Sequence, residues 1–254
     1  MTSPATVQDY RRPVPFGRLI LVHAQIWRAQ RGVVAGGLLA LAIGLLTVAG
    51  SMATLSGAVT SAVVSARFSG LPIVAFALLW PAVGAVAAAA PFRSGWATVL
   101  LTVAPRRGRW LGACLVSFLL LTVAVTVLFV VLAIVVSIAV LAAKGQNPAL
   151  AVSVGRSAPA TLVLVVLQAG IGFLLGAATR SVTASIIIGY VAAPILPMAR
   201  IGSVDLGRWL DLDGALTTVS AGSGHALLPA LTAVLLWVAV PALVAWSRLR
   251  SSVA

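Results

Sequence analysis

Serine, histidine and aspartate, the residue types that serve as nucleophile, base and orienting acid in hydrolases, come near one another once, where Gly222-Ser223-Gly224-His225 follows Asp205, Asp211 and Asp213. The matching chemistry would be hydrolysis, for example of lipid. A serine and a histidine this close in sequence rarely meet in that geometry, and the same residues make an ordinary polar turn, so no catalytic residue is assigned. Metal chemistry is as poorly supplied. His23 and His225 fall on opposite sides of the topology derived below, and the single Cys114 allows neither an intramolecular disulfide nor a Cys-based site. No GxxxxGK[ST] run occurs, so nucleotide phosphates find no P-loop here. What stands out instead is charge: 91–110, PFRSGWATVLLTVAPRRGRW, sets Arg93, Arg106, Arg107 and Arg109 between two apolar segments.

The rest of the chain must position that run, and its composition says in what medium. Hydrophobic residues make up 61% of the 254 residues and charged ones 8%, with a mean hydropathy of +1.13. Most side chains are therefore solvated by lipid or by one another. A net charge of +13 could suit a nucleic-acid binder. The arginines, however, sit in short connections between apolar runs, where cytoplasmic loops of membrane proteins collect positive charge, and nucleic acid is excluded as a partner.

Six apolar segments can be drawn, at 33–55, 71–90, 111–141, 159–178, 182–199 and 227–246. Each approaches or exceeds the roughly 20 helical residues that cross a bilayer. The first follows about thirty residues and is too long for the apolar core of a signal peptide, so it is expected to be a retained span. The third is long enough to tilt or project. The fifth is short and carries Pro194 and Pro197, which should break or kink its end. Only Thr179-Arg180-Ser181 separates the fourth from the fifth, which predicts a tight helical hairpin.

Charge sets the expected orientation. Arg11, Arg12, Arg18, Arg28, Arg31, the four arginines of the second loop, Arg180, Arg248 and Arg250 fall on one side. Arg67, Lys144, Arg156, Arg200 and Arg208 fall on the other, where three of the four acids offset the last two. The positive-inside rule then places both termini in the cytoplasm. The expected organisation is a cytoplasmic N-terminus with an interfacial helix (1–32), a six-helix transmembrane domain (33–247) with a cytoplasmic loop at 91–110 and an outside loop at 200–226, and a cytoplasmic tail (248–254).

Finer patterning adds candidates. Phe16, Leu19, Ile20 and Trp27 share one arc, with Arg18, Gln25 and Arg28 away from it, which predicts a helix lying on the inner leaflet. Phe92, Trp96, Val99, Leu100 and Val103 form a single helical stripe that Pro105 ends. That helix could lie in the headgroups or pack on the bundle and present its polar end to a protein. Gln168 is the clearest polar residue at membrane depth, with Tyr190 in the fifth segment, and an interhelical hydrogen bond is preferred to substrate contact for the glutamine. No acid lies in any span, which disfavours proton- or cation-coupled transport. The pairs Gly32/Gly36, Gly84/Ala88 and Gly172/Gly176 have the spacing that lets helices approach closely.

Phe92-Arg93-Ser94-Gly95, then Leu101-Thr102, then Pro105-Arg106-Arg107-Gly108-Arg109 before a long span resembles the cytoplasmic loop of ABC-2 type permeases, the membrane subunits of ABC exporters, in the version common in high-GC Gram-positive bacteria. The six-span plan with both ends inside agrees with it. Pro91 stands where the family usually has an acid, and Cys114 where a lysine is often found. The resemblance implies an all-α integral membrane bundle in which the loop forms a coupling helix seated on an ATPase subunit. Phe92, Arg93, Trp96, Pro105, Arg106, Arg107 and Arg109 would carry that coupling. It further implies a second permease chain, identical or not, and export of a lipophilic or amphipathic substrate across the cell membrane by alternating access. ATP and Mg would bind the partner ATPase, with no cofactor in this chain. Arg106, Arg107 and Arg109 suit either acidic residues of that partner or lipid phosphate. The rival readings are a membrane-embedded enzyme acting on lipid at the outer face, and a non-transporting scaffold or sensor.

The orientation has a direct test. In a Cys114→Ser background, Ser65→Cys and Asn147→Cys are expected to react with an impermeant thiol reagent in intact cells, and Ser94→Cys is not. Outside labelling at Ser94 would reverse the topology.

Overall fold

A computed structural model describes residues 15–57, 59–93, 95, 107–192, 209 and 227–251. Every regular element among them is helical. Helix α1 (Phe16–Ala29) is followed, after a break at Gln30, by α2 (Arg31–Ala53). Three shorter helices come next, α3 (Ser61–Ser69), α4 (Leu71–Leu78) and α5 (Trp80–Arg93). Helix α6 (Arg107–Ala143), a 3-10 segment (Pro148–Ser157) and α7 (Ala158–Thr179) form the middle of the chain. Helix α8 (Val182–Ile187) passes into one π-helical stretch (Ile188–Ala192), and α9 (Leu227–Ser251) closes the described chain.

Five stretches are long and apolar enough to cross a membrane: Arg31–Ala53, Ser61–Arg93, Gly108–Ala143, Pro148–Thr179 and Leu228–Arg248. The expected fifth span is present among the described residues only as the shorter apolar helix Val182–Val191, so the six-span count stands at five plus this piece. Pro194, which follows it, has no N–H to offer the Tyr190 carbonyl in an α-helical bond. The second span begins ten residues earlier than the expected 71, because α3 and α4 lead into α5 with breaks at Gly70 and Leu79. Pro72 and Pro81, near the starts of α4 and α5, cannot donate the bonds that would fuse these pieces into one regular helix. At the other end α5 continues through Pro91 to Arg93. The third span also starts earlier, and its 37 residues extend about 55 Å, well beyond a bilayer core.

Lipid offers little hydrophobic drive for helix association, so close packing has to hold the spans together. The seam between α5 and α7 provides it. A Cβ on Gly172 would collide with the Pro81 backbone, one on Gly176 would stand 2.7 Å from the Ala85 carbonyl oxygen, and one on Gly84 would stand 2.7 Å from the Phe173 nitrogen. Helix α2 repeats the device on the same partner: a Cβ on Gly36 would lie 2.7 Å from Val83 Cγ2, and one on Gly32 3.0 Å from Val86 Cγ1. All three small-residue pairs picked from spacing therefore lie at helix contacts.

Hydroxyls inside the spans bond back to their own helix, as Thr122 does to the Phe118 carbonyl (3.0 Å) and Thr126 to that of Thr122 (2.8 Å). At one end of the bundle, Lys144 Nζ donates to the Ala53 carbonyl (2.6 Å) and to that of Leu55, satisfying the C-terminus of α2 with the charge its dipole favours. Ser157 bonds Ser69 there (2.9 Å), tying the 3-10 segment to α3.

Gly172→Leu should force α5 and α7 apart and cost about 1–3 kcal/mol of stability or more. Gly37→Ala, where a Cβ meets nothing within 4 Å, should change stability by about 0.5 kcal/mol or less. Thermal unfolding in detergent measures both, and equal effects would remove the seam from this account.

Candidate functional site

The arginine-bearing loop leaves the bundle from Arg93 and returns at Arg107. Gly95 adopts φ 73°, a left-handed conformation that ends any helical continuation of α5. Phe92 thus lies in the last turn of α5. The rest of the expected stripe, Trp96, Val99, Leu100 and Val103, lies outside the described residues. At the return, Arg107, Gly108, Arg109 and Trp110 form the first turn of α6 and are not loop, which shortens the expected 91–110 segment from its far side as well. Trp96, Pro105 and Arg106 lie outside the described residues, as does the side chain of Arg107.

Aromatic packing joins the two stems. The Phe92 and Trp110 rings meet edge to face at 6.2 Å and 89°. Arg180, the residue between the fourth and fifth apolar segments, lays its guanidinium over the other side of this pair, 5.2 Å from the Phe92 centroid. Its Nη2 donates to the Arg248 carbonyl (2.8 Å), so one side chain reaches from the end of α7 to α5 and to α9. Arg180 itself caps α7 at φ 56°, a left-handed conformation costly for a residue with a Cβ, and Ser181 starts α8 by accepting from the Ala184 N–H (3.3 Å). The expected tight hairpin is present. Gly108 faces the Trp246 ring with no room for a side chain, which brings α9 against the start of α6.

Helix α1 completes the site. The sequence placed Phe16, Leu19, Ile20 and Trp27 on one arc. That arc is seated on α6, with Trp27 and His23 buried. The Trp27 ring lies 6.2 Å from Phe118 of α6 and 6.4 Å from Phe173 of α7. Arg18, Leu21, Gln25 and Arg28 point outward. The helix wedges its inner face against α6 and α7 and leaves Arg18, Leu21 and Arg28 on its outer face. From Phe118 the ring contacts continue through Trp80 and Phe76 to Phe129 and Phe68, so aromatic packing runs from the arginine-rich end to the Lys144 end.

Among the described residues, cations gather at both ends of the bundle. Arg93, Arg109, Arg180 and Arg248 gather at one, and Arg67, Lys144 and Arg156 at the other. All four acids, Asp9, Asp205, Asp211 and Asp213, lie outside the described residues, as does the Ser223–His225 turn. The cations at the arginine-rich end therefore face no carboxylate among the described residues. Gln168 shares a stripe with Leu164, Ile171 and Leu175, which packs on Trp237 of α9, and its Oε1 is buried without a hydrogen-bond partner among the described residues. Tyr190 donates its hydroxyl to the Leu78 carbonyl across helices. Among the described residues no group of histidine, cysteine or acid side chains could hold a metal.

His23, Trp27, Trp110, Phe118, Phe173 and Arg180 escaped the sequence reading as a group. Only their spacing was available there: Trp110, Cys114 and Phe118 recur every four residues, but in an apolar helix that is common to every face. No family model, curated protein or solved structure matches this chain.

Arg180→Ala removes the contacts to Phe92 and Arg248 and keeps a Cβ at a left-handed position. It should lower stability by about 1 kcal/mol and expose the end of α9 to protease. Arg180→Gly, free of the backbone cost, should fall between it and the wild type. Unchanged protease sensitivity in Arg180→Ala would show that the clamp does not hold α9.

Proposed function

We propose that this chain is the permease subunit of an ATP-driven exporter of the ABC-2 kind, with the arginine-rich end in the cytoplasm and both termini there. A single observation carries the reading: a basic loop enters and leaves through stems clamped to each other and to helices α1, α7 and α9. A push on such a loop is delivered to packed spans and not absorbed by slack chain. The resemblance of 92–109 to the family's cytoplasmic loop supports it, and the absence of a P-loop in these 254 residues is in keeping with ATP and Mg being held by an ATPase subunit.

In this reading Trp96 and the Pro105-Arg106-Arg107 corner seat on the ATPase, and Arg93 and Arg109 flank the contact. The clamp of Phe92, Trp110 and Arg180 passes nucleotide-driven closure to α5, α6 and α7. Two permease chains with two ATPase subunits enclose the path, and the cargo is lipophilic or amphipathic, in keeping with spans that carry no charged side chain at depth. Membrane lipid neutralises those arginines that the ATPase leaves uncovered.

Replacing Arg106 and Arg107 together by Ala is expected to weaken association with the ATPase or to uncouple its turnover from export. Truncated interface arginines commonly cost about 2 kcal/mol or more. Arg67→Ala, at the opposite end, should have little effect. Co-purification with a co-expressed ABC ATPase subunit and export by reconstituted vesicles are the measurements. A double variant that co-purifies stoichiometrically and exports at the normal rate would refute the coupling role. Specific nucleotide binding by the isolated chain, read by calorimetry, would refute the subunit reading altogether.

A further inference from the structure

His23 is a buried ionisable side chain that the reading above does not use. It lies on the inner face of α1 at 3% exposure, between the Trp27 ring (6.3 Å) and the Trp110 ring (6.2 Å, 65°). Its Nδ1 stands 2.7 Å from the Leu19 carbonyl oxygen. A carbonyl can only accept, so Nδ1 carries the proton of the neutral ring. Nε2 is buried without a partner.

Among the described residues, no carboxylate packs against it. Helix α1 itself carries Arg18 and Arg28, α2 opens with Arg31, and α6 contributes Arg109 and Cys114. Beyond Trp110, Phe92 is followed by Arg93 and covered by Arg180. All the charged groups are cations, and no carboxylate is among the described residues. A proton on Nε2 would create a buried imidazolium with an unmet donor.

We infer that His23 is a proton-operated latch, holding α1 on the start of α6 when neutral and releasing it when protonated. Burial pushes its pKa down from the usual 6.5, only partly offset by the Leu19 bond. The sign follows. Seated α1 binds fewer protons than released α1, so the seating is at full strength above about pH 6.5 and weakens as pH falls below it. The consequence is mechanical, because Trp27 and Trp110 flank His23 and Trp27 wedges against Phe118 and Phe173. Acidification at this end of the bundle would withdraw that wedge and loosen one stem of the basic loop. None of this depends on the export reading.

Cys114, the chain's single cysteine, lies buried one helical turn from Trp110 on α6 and reports the seating without any introduced probe. Its labelling by a dithiodipyridine, which reacts with thiols in acid as well as at neutral pH, is followed in detergent and in vesicles. Rates are normalised at each pH to those of the denatured protein. Between pH 7.5 and 5.5 the normalised rate should rise severalfold, up to roughly tenfold, the limit set by protonation of the released form at an ordinary histidine pKa. His23→Gln and His23→Phe cannot titrate and should give flat profiles. Ala133→Cys in a Cys114→Ser background, at a buried position further along α6, should stay unlabelled throughout. A flat wild-type profile would overturn the latch even if the variants fail to accumulate. Variants that keep the wild-type rise, or parallel labelling at position 133, would overturn it as well.

Discussion

The near-contact of two helix backbones, α5 against α7, is what the rest of the bundle depends on. Pro81, Ala85 and their neighbours lie so close to Gly172 and Gly176 that no Cβ fits between them. In hydrocarbon, dispersion and weak carbonyl contacts at such distances take over the role that water-driven burial has in a soluble core. The consequence is positional. With α5 and α7 fixed in register, Phe92 at the end of one and Arg180 at the end of the other are brought into contact, and α2 settles on the same α5 surface through Gly32 and Gly36.

Large rings fill the space where the helices are not in backbone contact. Phe118 and Phe173 stack at 5.5 Å, Phe76 and Phe129 at 4.0 Å, and Trp27 closes the group from α1. Seams of glycine and alanine are thus paired with a core of Phe and Trp, a division that packs irregular gaps without polar atoms. It makes the arginine-rich end stiff. Both stems of the basic loop, the N-terminal helix and the last helix meet there through side chains that have few rotamers.

Charge is distributed to a different rule. Cations sit at both ends with no carboxylate opposite them among the described residues. Some are satisfied by the backbone: Lys144 takes the carbonyls that end α2, and Arg180 takes that of Arg248. These bonds close helix termini, so the same cations also hold helices in place.

Much of this was legible in the residues themselves. Hydropathy marked the spans because apolar length is a one-dimensional property. Alternating arginines separated the ends, the three-residue link with Arg180 required a hairpin, and the glycine pairs marked surfaces able to approach closely. Helix limits were less legible, since in an all-apolar stretch nothing local signals whether a helix runs through Pro91 or breaks at Gly70. The sequence could not say which face of α6 meets α1, or that His23, Trp110, Phe92 and Arg180 converge from four helices. An apolar helix carries no polar stripe to reveal its inner side, and partners more than sixty residues apart are chosen by the volume left when backbones have packed. Composition and hydropathy determined the apolar helical character and most of the membrane-spanning stretches. Only the tertiary packing decided which rings, cations and carbonyls share one end of the bundle.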